Sequence, residues 1–102
     1  MSFQNFTFSS RTSDFTGASG FHYSISTASN AVAVTLPAIS GVGAGDTLRL
    51  KFASNGGSVN TITVASTGSD TIDGSTDNLA INTLYNSVSF VANTSQNDWE
   101  II

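Results

Sequence analysis

The sequence predicts an all-β domain, an antiparallel, jelly-roll-like β-sandwich of about seven or eight short strands. Three observations carry this. Apolar residues recur at every second position in several short windows, the period of a half-buried strand. Clusters of Gly, Asn, Asp and Ser interrupt those windows about every 8–12 residues, the spacing of a sandwich or barrel. No window carries a convincing 3.6-residue period.

Residues 1–20 read as an N-terminal arm and loop, and residues 21–102 as the sandwich. The arm carries Phe3, Phe6, Phe8, Arg11 and Phe15 among Ser, Thr and Gly. Phe6 and Phe8 share one face of an extended chain. Either this is an edge strand with a mobile connection, or it is an extended arm that docks on a neighbouring subunit or another protein.

Phe21–Thr27 sets Phe21, Tyr23 and Ile25 on one face and His22, Ser24 and Ser26 on the other. Ala28-Ser29-Asn30 turns the chain, and Ala31–Leu36 follows with Val32, Val34 and Leu36 inward. Pro37 cannot donate to a ladder, so the strand ends there. Ser40–Asp46, with Gly41, Gly43 and Gly45, reads as a loop. Thr47–Phe52 is the clearest strand, with Leu48, Leu50 and Phe52 inward and Arg49 and Lys51 outward. Asn55-Gly56-Gly57 is a strong hairpin signal, since these residues accept positive φ. The returning strand is Thr61–Ala65. Leu79–Ile81 and Asn86–Ala92 are further strands. Asp98–Ile102 closes the chain with Trp99 and Ile101 on the core face. No internal repeat, linker or second domain is visible.

Composition excludes several function classes. Charged residues make up 10% of the 102-residue chain, and hydrophobic residues 39%; an average soluble domain has about 25% charged residues. The three basic residues Arg11, Arg49 and Lys51, in a chain of net charge −4, make neither a phosphate-neutralising face nor a membrane-binding one, so nucleic acid and membrane are not expected partners. With no Cys there is no disulfide framework and no thiolate metal site. The N-terminal MSFQNFTFSS lacks a basic segment and a continuous apolar run, so it does not read as a signal peptide. The sequons at Asn5 and Asn93 are then of the kind that chance supplies in a Ser/Thr-rich chain.

Motifs that could carry chemistry are weak. Gly41-Val42-Gly43-Ala44-Gly45 resembles a phosphate loop in composition, but Asp46 opens a strand where a helix is needed. Asp70, Asp73 and Asp77 cluster with Gly74, yet Ile72 occupies a position that an alternating calcium loop needs. The bland reading is that Asp73-Gly74 caps a turn. His22 is the single His and no Ser–Asp pair stands out beside it. Glu100, the single Glu, has no acid/base partner of the glycosidase kind. Neither catalysis nor a cofactor is expected. Tyr85 with Asn82 and Asn86 could line a shallow sugar-binding groove.

From about Val32 to Ile102 the motifs fall in a familiar order. Val34-Thr35-Leu36-Pro37 precedes the Gly-rich loop and Thr47–Phe52. Asn60-Thr61-Ile62-Thr63-Val64, Asp70-Thr71-Ile72-Asp73-Gly74, Val88-Ser89-Phe90-Val91 and Trp99-Glu100-Ile101-Ile102 follow. This order resembles a small β-domain of tailed-bacteriophage virion proteins, found in fibre and appendage modules and in capsid decoration proteins. It covers about two thirds of the chain, and residues 1–31 match no pattern. The resemblance implies a structural, non-catalytic virion protein, commonly a homotrimer. A one-domain chain starting at Met1 favours a decoration (cement) protein on the outer surface of the capsid, with itself and the major capsid protein as partners. The alternative is a tail fibre or appendage module that binds a host-surface carbohydrate or receptor. The expected capsid or subunit interface residues are Phe3, Phe6, Phe8, Arg11 and Phe15.

Overall fold

The computed structural model describes residues 5–102. Ten strands run in chain order: β1 (Thr7–Arg11), β2 (Phe15–Thr16), β3 (Phe21–Ser26), β4 (Val32–Thr35), β5 (Thr47–Ser54), β6 (Ile62–Ala65), β7 (Thr71–Ile72), β8 (Leu79–Ile81), β9 (Ser87–Asn93) and β10 (Asp98–Ile101). One 3-10 turn, Ile39–Gly41, interrupts the loop after β4. Two sheets result, a six-stranded one ordered β1-β3-β5-β9-β10-β7 and a four-stranded one ordered β2-β4-β6-β8.

The all-β sandwich matches the expectation, but the expected antiparallel pairing is corrected. β1, β3 and β5 pair in parallel, and so do β2, β4 and β6. Only β9 and β8 reverse direction within their sheets, and β7 joins β10 in parallel. The chain winds from the larger sheet to the smaller one and back, three times, before it turns to antiparallel pairing. This is the winding of a short β-solenoid, unlike the antiparallel Greek keys of a jelly roll. The hairpin expected at Asn55-Gly56-Gly57 is corrected for the same reason. That turn carries the chain across the sandwich from β5 to β6, which lie in different sheets. β2 and β7, two residues each, raise the strand number above the expected eight.

The alternation read from the sequence sets the core. Tyr23, Ile25, Leu48, Leu50, Phe52, Phe90 and Trp99 from the larger sheet meet Val32, Val34, Ile62, Val64 and Ile81 from the smaller one in a single buried cluster. Burying a side chain of this size contributes about 1.5–3 kcal/mol. Trp99 is fully buried, and its indole Nε1 donates to the Pro37 carbonyl at 3.1 Å.

Polar residues hold the corners. Thr27 is fully buried; its hydroxyl donates to the Asn60 carbonyl and its own carbonyl accepts from Asn60 Nδ2, both at 3.0 Å. These bonds tie the turn after β3 to the turn before β6 and satisfy backbone groups that a buried corner would otherwise strand.

The Asp70–Gly74 stretch is a clasp. Asp70 Oδ2 accepts from the Ile39 N–H at 2.8 Å, holding the 3-10 turn. Asp73, at φ 47°, accepts from the Ile101 N–H at 3.0 Å. Asp98 Oδ1 accepts from the Thr71 hydroxyl at 2.6 Å and from the Gly74 N–H at 2.9 Å. Ile72 points into the core between them. The expected capping of this turn by the Asp73 side chain is corrected: Asp73 reaches across to β10, and it is Asp98 that accepts from the Gly74 N–H.

Candidate functional site

The outer face of the larger sheet gathers an unusual set of side chains. Register partners in a parallel pair share a face, so Phe8 of β1, His22 of β3 and Arg49 of β5 form one row that ends at Ser89 of β9. Ser10, Ser24, Lys51 and Ser87 form the next row. The Phe8 and His22 rings stack with centroids 5.9 Å apart and planes 18° apart. The Arg49 guanidinium lies 4.7 Å from the Phe6 ring centroid, and its Nε donates to Ser89 Oγ at 3.2 Å. The Lys51 ammonium donates to the Tyr85 carbonyl and stands 6.0 Å from the Tyr85 ring.

Two of the three basic residues of an acidic chain therefore share one face with four aromatic rings. Phe8 is 66% exposed and Tyr85 64%. The carboxylates of this face, Asp98 and Glu100, sit on β10, with β9 between them and the cations. Both are engaged, Asp98 in the clasp and Glu100 by the Asn93 amide at 2.8 Å. The His22 imidazole is pushed below its ordinary pKa, first by burial and then by the positive charges of Arg49 and Lys51. The centre of the face is thus cationic and aromatic.

The five expected interface residues divide. Phe3 lies outside the described residues. Phe6, half-buried, and Phe8, exposed, belong to the face just described. Arg11 and Phe15 lie elsewhere, at the end of the sandwich formed by β1 and β2. There the Arg11 guanidinium sits 4.9 Å from the Phe15 centroid and 5.5 Å from that of Tyr23. Phe15 is half-buried against the core, 4.6 Å from Tyr23. Arg11 and Phe15 close the open end of the core, as a solenoid requires of its terminal coil.

His22, Arg49, Lys51 and Tyr85 complete the outer face and were not among the expected interface residues. Alternation alone puts His22, Arg49 and Lys51 on polar faces. Which of them stand beside Phe8 depends on parallel register between strands distant in sequence.

The loop and the acidic cluster are used internally. The Gly43 N–H donates to Asp46 Oδ2 at 2.8 Å, so a carboxylate already occupies the Gly-rich loop. Among the described residues no three His, Cys, Asp or Glu side chains gather as a metal-binding set. Tyr85 sits in a turn at φ 71°, pinned by its N–H to the Phe52 carbonyl at 2.7 Å.

The model of one protein family, bacteriophage T4 gp9/10-like protein, N-terminal, matches residues 2–101. The chain belongs to this family. The gp9/10-like family is one of bacteriophage virion proteins, so the domain is a structural component of a phage virion. The match takes in residues 2–31, which resembled no pattern in the sequence reading. Comparison with curated proteins finds no match.

Proposed function

We propose that this gp9/10-like domain is a non-enzymatic docking module of a phage tail appendage, that it works as a homotrimer, and that it holds a virion partner through the outer face of its larger sheet. The observation that carries this is the segregation of Arg49, Lys51 and His22 with Phe6, Phe8 and Tyr85 on one face of an otherwise acidic domain. Aromatic and Arg side chains are the enriched anchors of protein interfaces. Cations beside them steer an acidic partner and fix its orientation. The family is described as an N-terminal region, which suits a module that attaches a longer chain to its neighbours.

A protein partner fits this face better than a sugar. Phe8 gives one face to His22 and Phe6 gives one to Arg49, so both rings belong to a mixed aromatic and cationic cluster of the kind enriched in protein interfaces. The slab shape, 40 × 33 × 18 Å, favours a second reading, capsid decoration. A thin plate can cover a seam between copies of the major capsid protein on the outer surface of the head, and such binding stabilises the assembled state by mass action.

Co-sedimentation of the purified domain with separated tails and with empty heads tests both readings. Binding to tails alone supports the appendage reading, and binding to heads alone supports decoration. Binding to neither, with binding to a host glycan instead, would reject the docking reading.

A further inference from the structure

We infer that Tyr85 is the anchor of the outer face, a ring held out on strained backbone so that it enters an apolar pocket of a polypeptide partner, while Lys51 beside it meets a carboxylate at the rim of that pocket. This rests on the reading of the outer face as a docking surface.

Among the described residues, Asp73, Tyr85 and Asn97 are the non-glycine positions with positive φ, at 47°, 71° and 50°. Asp and Asn visit this region readily, because their short polar side chains bond locally; a bulky side chain there is an outlier. The Asn86 N–H donates to the Thr83 carbonyl at 3.1 Å and closes a turn with Leu84 and Tyr85 at its centre. Of those two only Tyr85, the second, has positive φ. That is the pattern of a type II turn, whose second central position takes Gly or Asn. Here a Tyr occupies it, and the Asn stands one position later.

The surroundings hold the turn in this shape. The Tyr85 N–H donates to the Phe52 carbonyl at 2.7 Å, the Phe52 N–H donates to the Asn86 carbonyl at 2.9 Å, and the Lys51 ammonium donates to the Tyr85 carbonyl. Leu84 packs against the core. These contacts fix the backbone and use nothing of the Tyr85 ring. The ring stays 64% exposed, with the Lys51 ammonium 6.0 Å from its centroid, so the fold gains little from a side chain that strains it. Strain of this kind persists where neighbouring structure enforces it, and it gathers at functional sites. An exposed Tyr on rigid backbone is the usual hot spot of a protein interface. Lys51 spends part of its donor capacity on the Tyr85 carbonyl and keeps the rest for a partner. Arg49 and Lys51 share the outer side of β5, so the complementary surface is an apolar pocket with a carboxylate rim.

Four chains test this: the wild type, Tyr85→Asn, Tyr85→Ala and Arg49→Glu/Lys51→Glu. Each is melted alone and titrated against the virion part, tail or head, that holds the wild type. Tyr85→Asn relieves the backbone and is expected to raise the melting temperature by on the order of 4 °C. It is also expected to weaken docking at least ~10-fold, about 1.4 kcal/mol or more. Tyr85→Ala keeps a strained φ and removes the ring, so it is expected to lose docking to the same degree without the gain in melting temperature. A Tyr85→Asn chain that melts no higher than the wild type would make the ring a contact of the fold and overturn the inference. Tyr85 variants that dock as tightly as the wild type, while Arg49→Glu/Lys51→Glu docks weakly, would overturn it and leave the docking face standing. A charge-reversed variant that docks as the wild type does, or a wild type held by neither tail nor head, would remove the docking reading and the anchor with it.

Discussion

Trp99 and Pro37 are joined across the sandwich. The indole of the C-terminal strand donates to the carbonyl of the residue that ends the second winding at 3.1 Å, in a fully buried setting. The hydrogen bond makes the largest buried ring of the core also the link between the solenoid half and the antiparallel half. Trp99→Phe keeps the aromatic volume in part and strands the Pro37 carbonyl, which should cost about 1–3 kcal/mol. Trp99→Ala should cost about 3–5 kcal/mol. Urea unfolding of the three proteins checks the order, and equal midpoints would contradict it.

Gly56 is fixed by its neighbour as well as by its backbone. It sits at φ 60°, and a Cβ there would lie 2.6 Å from the Ala28 Cβ. Gly57 has φ 81° and nothing within 4 Å of an added Cβ. Gly57→Ala carries only the backbone penalty, about 1–2 kcal/mol. Gly56→Ala adds overpacking of about 1–3 kcal/mol. Thermal melting should therefore rank wild type above Gly57→Ala above Gly56→Ala.

The clasp depends on one carboxylate. Asp98 Oδ1 accepts from both the Thr71 hydroxyl and the Gly74 N–H. Asp98→Ala leaves both donors without this partner in a buried site and should destabilise by about 1–3 kcal/mol. Hydrogen exchange should report faster opening at Gly74 and Trp99, next to the lost contact, than in β3 or β5. Uniform acceleration across both sheets would contradict a local clasp.

His22 makes stability fall as the solution is acidified. Its folded pKa lies below its ordinary value of 6.5, through burial first and then through Arg49 and Lys51. Phe8 of β1 covers one side of the ring, and no carboxylate of β1, β3 or β5 faces it. The unfolded chain therefore binds the proton more readily. The His22 contribution is intact above pH about 6.5 and declines as pH drops from there toward the folded value. Melting temperatures of the wild type and His22→Gln, measured between pH 7.5 and 5, should diverge in slope below about pH 6.5, with His22→Gln the flatter. Parallel slopes would contradict this.

Much of the fold was legible in the sequence, because alternation is a local property. Leu48, Leu50 and Phe52, or Val32 and Val34, declare their face without reference to any other strand. Pairing direction is not local. Asn55-Gly56-Gly57 supplies the positive φ of a hairpin, and the same φ serves equally to carry the chain across a sandwich. The windings differ in length, with Thr7 beside Phe21 in one pair and His22 beside Arg49 in the next. No fixed period therefore marks the solenoid. The site was half-legible for the same reason: Phe6 and Phe8 stood out as exposed aromatics, while His22, Arg49 and Lys51 join them only through parallel register.

The docking face is tested most directly by the charge-reversed variant Arg49→Glu/Lys51→Glu. Its binding to purified virion parts should be compared with that of the wild type, with circular dichroism to establish that both are folded. The structure predicts a folded variant with binding weakened at least ~10-fold, because two desolvated cations at an interface would be inverted. A folded variant that binds as tightly as the wild type would contradict the assignment of this face as the docking surface.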